Sequence, residues 1–92
     1  MHAVVVQVEI TAGRTDEATQ MLLDVVVPSS RQAPGFHAGF WMRSDDGTHG
    51  ASLEVFESAN EARAFIDSLG EMPEGSPVRI ASAEVMEVVA NA

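Results

Sequence analysis

The sequence contains no cysteine, no tyrosine and no lysine. Without cysteine there can be no disulfide, no thiolate nucleophile and no Cys-ligated zinc or iron–sulfur centre. Positive charge is scarce as well: five basic residues stand against 14 acidic ones, for a formal net charge of −9. A nucleic-acid binder needs a basic face that displaces counterions, and an anionic membrane surface repels a chain of this sign, so neither partner is expected. No apolar run approaches the roughly 20 residues of a transmembrane helix. The segment from Met1 to Ile10 has no basic stretch, and Glu9 interrupts its apolar run. No signal peptide is therefore predicted, and a cytoplasmic location is expected. The three histidines, His2, His37 and His49, have no second ligand at helical i+4 or strand i+2 spacing, so no metal site is read. Asp45 and Asp46 lack the spaced ligands of a calcium loop, and no glycine-rich phosphate cradle is present. No cofactor is expected.

What is present is strong periodicity. Val4, Val6, Val8 and Ile10 alternate with Val5, Gln7 and Glu9, the period-two pattern of a β-branched strand. From Thr15, a plausible N-cap, the period changes. Ala18, Met21, Leu22 and Val25 form an i, i+3, i+4, i+7 stripe that predicts an amphipathic helix. Pro28 should end or kink it near Val27, with a further turn open over 29–32. Two strand-like runs, Phe36 to Ser44 and His49 to Glu57, flank Asp45-Asp46-Gly47-Thr48. Asp-Gly predicts a type I′ hairpin turn with Met42 opposite Ala51, Phe40 opposite Leu53 and Ala38 opposite Val55. The other face should pair Trp41 with Ser52, Gly39 with Glu54 and His37 with Phe56. Ser58-Ala59-Asn60-Glu61 is a capping box before the stripe Ala62, Phe65, Ile66 and Leu69, and Gly70 suits a left-handed residue beyond the end. The last run, 78–90, is strand-like but changes phase, which predicts a bulge.

These elements make a single domain over 1–92 of the α+β class, in β-α-β-β-α-β order. The expected fold is a ferredoxin-like sandwich, a four-stranded antiparallel sheet with two helices on one face. The uncovered face should be polar if the chain stands alone. It is not, whichever face the helices take, since either Val5, Trp41, Phe56 and Val85 or Phe40 and Leu53 are left over. Wetting such groups costs about 1.5–3 kcal/mol each, so a second copy of the chain is expected on that face.

The element order, with Pro34-Gly35-Phe36, Trp41, the run 43–47, Phe56-Glu57-Ser58 and Glu61-Ala62, resembles the antibiotic biosynthesis monooxygenase-like proteins of the dimeric α/β-barrel superfamily. The resemblance spans nearly the whole chain. It implies a homodimer with sheets face to face and a pocket in each subunit between sheet and helices. It also implies two candidate roles. One is a cofactor-independent monooxygenase acting on an apolar aromatic or quinone-like small molecule. The other is a non-catalytic module that binds a small ligand or serves assembly. This chain departs from many members of the superfamily in carrying Phe65-Ile66 where they have a helix histidine. It has Gln7 as the nearest polar residue to a first-strand asparagine, and it has no tyrosine.

Candidate site residues follow from strand parity. His37 is the natural general base near neutral pH, on the predicted face of Trp41. Trp41, the single tryptophan, could stack on an aromatic ligand or serve as a packing anchor. Arg43 and Glu54 project to the same predicted face, with Gln7 beside them. They could hold a substrate carboxylate or enolate, or form a charge pair that only steadies the sheet.

Overall fold

The computed structural model describes residues 1–70 and 72–92. Strand β1 (His2–Ile10) leads into helix α1 (Thr15–Met21), a π-helical turn (Leu22–Val26) and helix α2 (Val27–Arg31). Strands β2 (Phe36–Arg43) and β3 (His49–Phe56) follow, then helix α3 (Ala59–Leu69) and strand β4 (Val78–Glu87). All pairings are antiparallel and the sheet order is β2-β3-β1-β4, the ferredoxin-like arrangement expected. Among the described residues no helix is long and apolar enough to cross a membrane.

The alternation in β1 decides which face is covered. Val4 and Val6 pack with Phe56, Ala62 and Phe65 in the core, flanked by Val8, Ile80, Ala83 and Val85. The register carries Val5, Leu53 and Phe40 to the opposite face, where Phe40 is 63% exposed. The helices therefore cover the face of Val4 and leave that of Phe40 open. The expected bulge in the last strand is present. Gln7 pairs with Ser82 but Val8 with Ile80, so Ala81 is the extra residue. That slip returns Val78 and Ile80 to the covered face, in line with Ala83 and Val85.

From Ala38 to Met42 the hairpin has the expected register, but it does not have the expected turn. A type I′ turn needs positive φ at Asp46 and Gly47. Of the two only Gly47 has it, at φ +73°, and no non-glycine residue among those described does. The loop instead spans four residues. Gly47 N–H donates to the Ser44 carbonyl (2.9 Å), and Ser44 N–H to that of His49 (2.9 Å). Asp46 fixes this form by accepting from the Ser44 hydroxyl, the Thr48 N–H and the Thr48 hydroxyl (2.8, 3.0 and 2.8 Å). Those donors hold its carboxyl at about 2, below the usual range.

A second departure lies at the start of β2. Phe36, not His37, pairs with Phe56, and the register slips before Ala38. His37 is the bulged residue. The gain is aromatic, since Phe36 meets Phe56 edge-on at 5.9 Å between centroids and Phe56 meets Phe65 at 5.0 Å.

The first helical segment departs from its predicted stripe too. Arg14 occupies the N-cap position, and Thr15 donates its hydroxyl to the Gly47 carbonyl (3.0 Å), tying the segment to the hairpin. The π turn adds one residue to the winding just before Pro28, which has no N–H to give, and the helix then runs on to Arg31. The added residue shifts the phase. Val25 is turned out (56% exposed) and Val26 faces inward. Helix α3 is as read, with Ser58 Oγ accepting from Glu61 N–H (3.2 Å) and donating to the Glu61 carboxylate (3.0 Å). Gly70 does take positive φ (58°), but its ψ of −160° lies outside the left-handed helical region.

Candidate functional site

Between the sheet and the helices lies a cavity of about 140 Å³, partly open to solvent. Its floor is the covered face of the sheet: Val6 and Val8 of β1, Trp41 of β2, and Ser52 and Glu54 of β3. Its roof is Ala18, Met21, Leu22 and Val26 from the first helical segment, with Phe65 and Leu69 from α3. The wall is almost wholly apolar.

Strand parity and one glycine place the indole. Trp41 pairs with Ser52, and a Cβ on Gly39 would come within 2.6 Å of the ring carbon Cη2. The ring therefore lies back along β2 over the space that only glycine leaves free. Trp41 thus belongs to the cavity and not to the open face.

Glu54 is the unusual group. It sits between Val4 on β1 and Gly39 on β2 and is 2% exposed. Its Oε2 is buried with no hydrogen-bond partner. Burial pushes its carboxyl up to about 7, and a hydrogen bond from Ser52 and one from its own backbone offset that only in part. The cross-strand charge pair considered with Arg43 does not form. The Arg43 guanidinium donates to Thr19 Oγ1 (2.9 Å), so it clasps α1 to the rim of the cavity.

The other two candidates lie elsewhere. The bulge turns His37 outward, half-exposed, with Nδ1 3.5 Å from the Glu57 carboxylate. Gln7 pairs with Ala51 and Ser82 on the uncovered face. The structure therefore brings together Trp41, Arg43 and Glu54, and separates His37 and Gln7 from them. Ser52 is the neighbour that reasoning from sequence passed over. Its parity with Glu54 was the available signal.

The model of the family described as antibiotic biosynthesis monooxygenase matches residues 1–70. The chain belongs to that family. No curated protein matches the sequence. Solved structures similar to this antibiotic biosynthesis monooxygenase family member share its fold at low identity. The haem-degrader MhuD of Mycobacterium tuberculosis, with two haems in its active site, superposes with a TM-score of 0.77 at 18% identity, covering 100% of this chain and 99% of that one. The monooxygenase ActVA-Orf6 of Streptomyces coelicolor, in complex with nanaomycin D, gives 0.65 at 18%, covering 99% and 89%. SnoaB of Streptomyces nogalater, a cofactor-independent oxygenase, gives 0.68 at 12%, covering 98% and 95%.

A haem does not fit the residues found in this family member. None of its three histidines lines the cavity, so the described lining offers no imidazole to a haem iron. Among the described residues no group of three or more His, Asp or Glu is placed to hold a metal ion.

Proposed function

We propose that this protein is a homodimeric, cofactor-independent monooxygenase acting on a small apolar aromatic that it converts to a quinone. The observation that carries the reading is the apolar cavity between sheet and helices, walled on one side by an indole and holding, among the described residues, one buried carboxyl. Family membership supports it, as does the likeness to SnoaB, described as a cofactor-independent oxygenase.

The chemistry needs little from the protein beyond binding, orientation, exclusion of water and a place for a proton. A hydroxylated aromatic that loses its proton becomes electron-rich enough to reduce dioxygen. One ring C–H becomes C=O with one oxygen atom. The other oxygen leaves as water with the O–H and C–H hydrogens, so four electrons pass from substrate to dioxygen. Trp41 supplies the stacking wall, and the roof of Met21, Leu22 and Phe65 shields a bound ring from water on that side.

Turnover of 1,8-dihydroxynaphthalene, followed as oxygen uptake and quinone absorbance, tests the reading. The expected result is one dioxygen consumed per 5-hydroxy-1,4-naphthoquinone formed, faster than in buffer and unaffected by dialysis against a chelator. Saturable binding with a rate no higher than buffer would leave a ligand-binding module and end the enzymatic reading.

The dimer is part of the same proposal. Phe40, Met42 and Met86 are 63, 54 and 46% exposed on the uncovered face, beside Val5 and Leu53. A second copy packed there would remove the patch from water. Light scattering at micromolar concentration should give about twice the 9.8 kDa chain mass. Phe40→Asp should give the monomer. A wild-type monomer at that concentration would sink the arrangement.

A further inference from the structure

We propose that Glu54 is the catalytic base of this site and the group that selects its ligand, its Oε2 taking the proton of a hydroxyl carried by an aromatic substrate. The inference rests on the reading of the cavity as an aromatic-binding site and assigns its polar recognition to one atom.

The geometry is specific. Glu54 Oε2 is buried with no hydrogen-bond partner, on the floor of a cavity whose other walls are nearly all apolar. A buried polar atom left unpaired is costly, and an apolar residue of similar size would serve packing better. A hydroxyl brought in by a ligand repairs the deficit, whereas a ligand without a donor leaves it in place. Sites built to pair a substrate hydroxyl reject the analogue that lacks it for this reason.

Among the described residues that line the cavity, the proton is left to Glu54. Val4 of β1 and Gly39 of β2 flank it, Phe65 of α3 and Leu22 of the π turn line the same space, and none ionises; His2, two residues before Val4 on the same face with its Nδ1 buried and unpaired, does not line the cavity. Arg43 is the only other ionisable side chain among the described residues lining the cavity, and it is engaged by Thr19. Ser52 can donate to the carboxylate but is no base at neutral pH. Burial raises the carboxyl to about 7, so acid and anion are both populated near neutrality. The anion accepts the phenolic proton: the substrate O–H bond breaks, the Oε2–H bond forms, and the electron pair stays on the substrate oxygen. The resulting acid then gives this proton to the oxygen atom that leaves as water, which restores the carboxylate.

Calorimetric titration with 1-naphthol and with 1-methoxynaphthalene separates this role from mere packing. The two probes differ by the donor. Wild-type protein should bind 1-naphthol at least about tenfold more tightly at pH 8. That preference should fall to within about twofold in Glu54→Leu. Between pH 6 and 8 the wild-type affinity for 1-naphthol should rise as the carboxyl ionises. Glu54→Gln, which accepts a hydrogen bond but does not ionise, should bind with a flat profile, and it decides the matter if Glu54→Leu does not fold. Equal affinity for both probes would overturn the assignment while leaving the cavity reading intact. Binding of neither probe would overturn both.

Discussion

Glu54→Gln is expected to make the protein more stable at pH 8 by about 3 kcal/mol and to leave it nearly unchanged below pH 4.5. The folded state raises this carboxyl from the model 4.5 to about 7. Between those values the native state holds a proton that the unfolded state releases. The stabilisation is therefore complete below about 4.5, declines as pH rises, and is gone above about 7. A glutamine is a permanent copy of the protonated form and does not decline. Asp46 works in the opposite sense. Its folded value of about 2 is depressed, so its contribution is present above its ordinary 3.8 and lost as pH falls through 2. The two windows do not overlap. Urea unfolding at pH 5 and pH 8, at one protein concentration, reads the effect directly. A wild-type midpoint that does not fall between those pH values would mean the carboxyl is hydrated in the folded state.

The second large effect is structural. Phe56 is fully buried and joins three elements, touching Phe36 of β2 and Phe65 of α3 from its place on β3. Phe56→Ala should cost about 3–5 kcal/mol through the lost transfer energy and the cavity left behind. A domain of this size has only about 5–15 kcal/mol of stability in total, so the melting temperature should drop by roughly 15–30 °C or the chain should fail to fold. Val89, 89% exposed, is the matched control, and its alanine variant should stay within about 0.5 kcal/mol of wild type. A Phe56→Ala protein that melts close to wild type would show that the aromatic cluster can collapse onto the gap.

The elements legible in the sequence were those written in local chemistry. The alternation of β1, the hairpin register from Ala38 to Met42 and the Ser58–Glu61 cap each depend on residues a few positions apart, and each stands in the structure as read. The misses share another origin. Counting in twos along β2 sends His37 to the cavity, and one bulge reverses its parity. The bulge answers to Phe56 and Phe65, which lie 20 and 29 positions beyond Phe36 and outside any local window. Counting helical turns sends Val25 inward, and one π turn brings Val26 there instead. Sequence parity sets Gln7 beside Trp41 only if Val5, Gln7 and Glu9 share the indole's face; in the sheet Val6 lines up with Ser52 and Trp41, and Gln7 falls on the opposite face. Parity did put Glu54 on the right face. Its burial could not be read, because that depends on two helical segments overhead and not on the strand itself.

The pairing of Gly39 with Trp41 has a consequence for how such a site can change. The indole occupies the room that Gly39 lacks a side chain to fill, so these two positions on β2 trade volume with each other and with the cavity. A larger residue at 39 would push the ring across the floor and narrow the space, and a smaller one at 41 would widen it. The acid–base group stands on the neighbouring strand. Size selection and reactivity thus reside on separate strands, and a lineage could retune the dimensions of its guest by drift at 39 and 41 while the proton chemistry at 54 stays as it is.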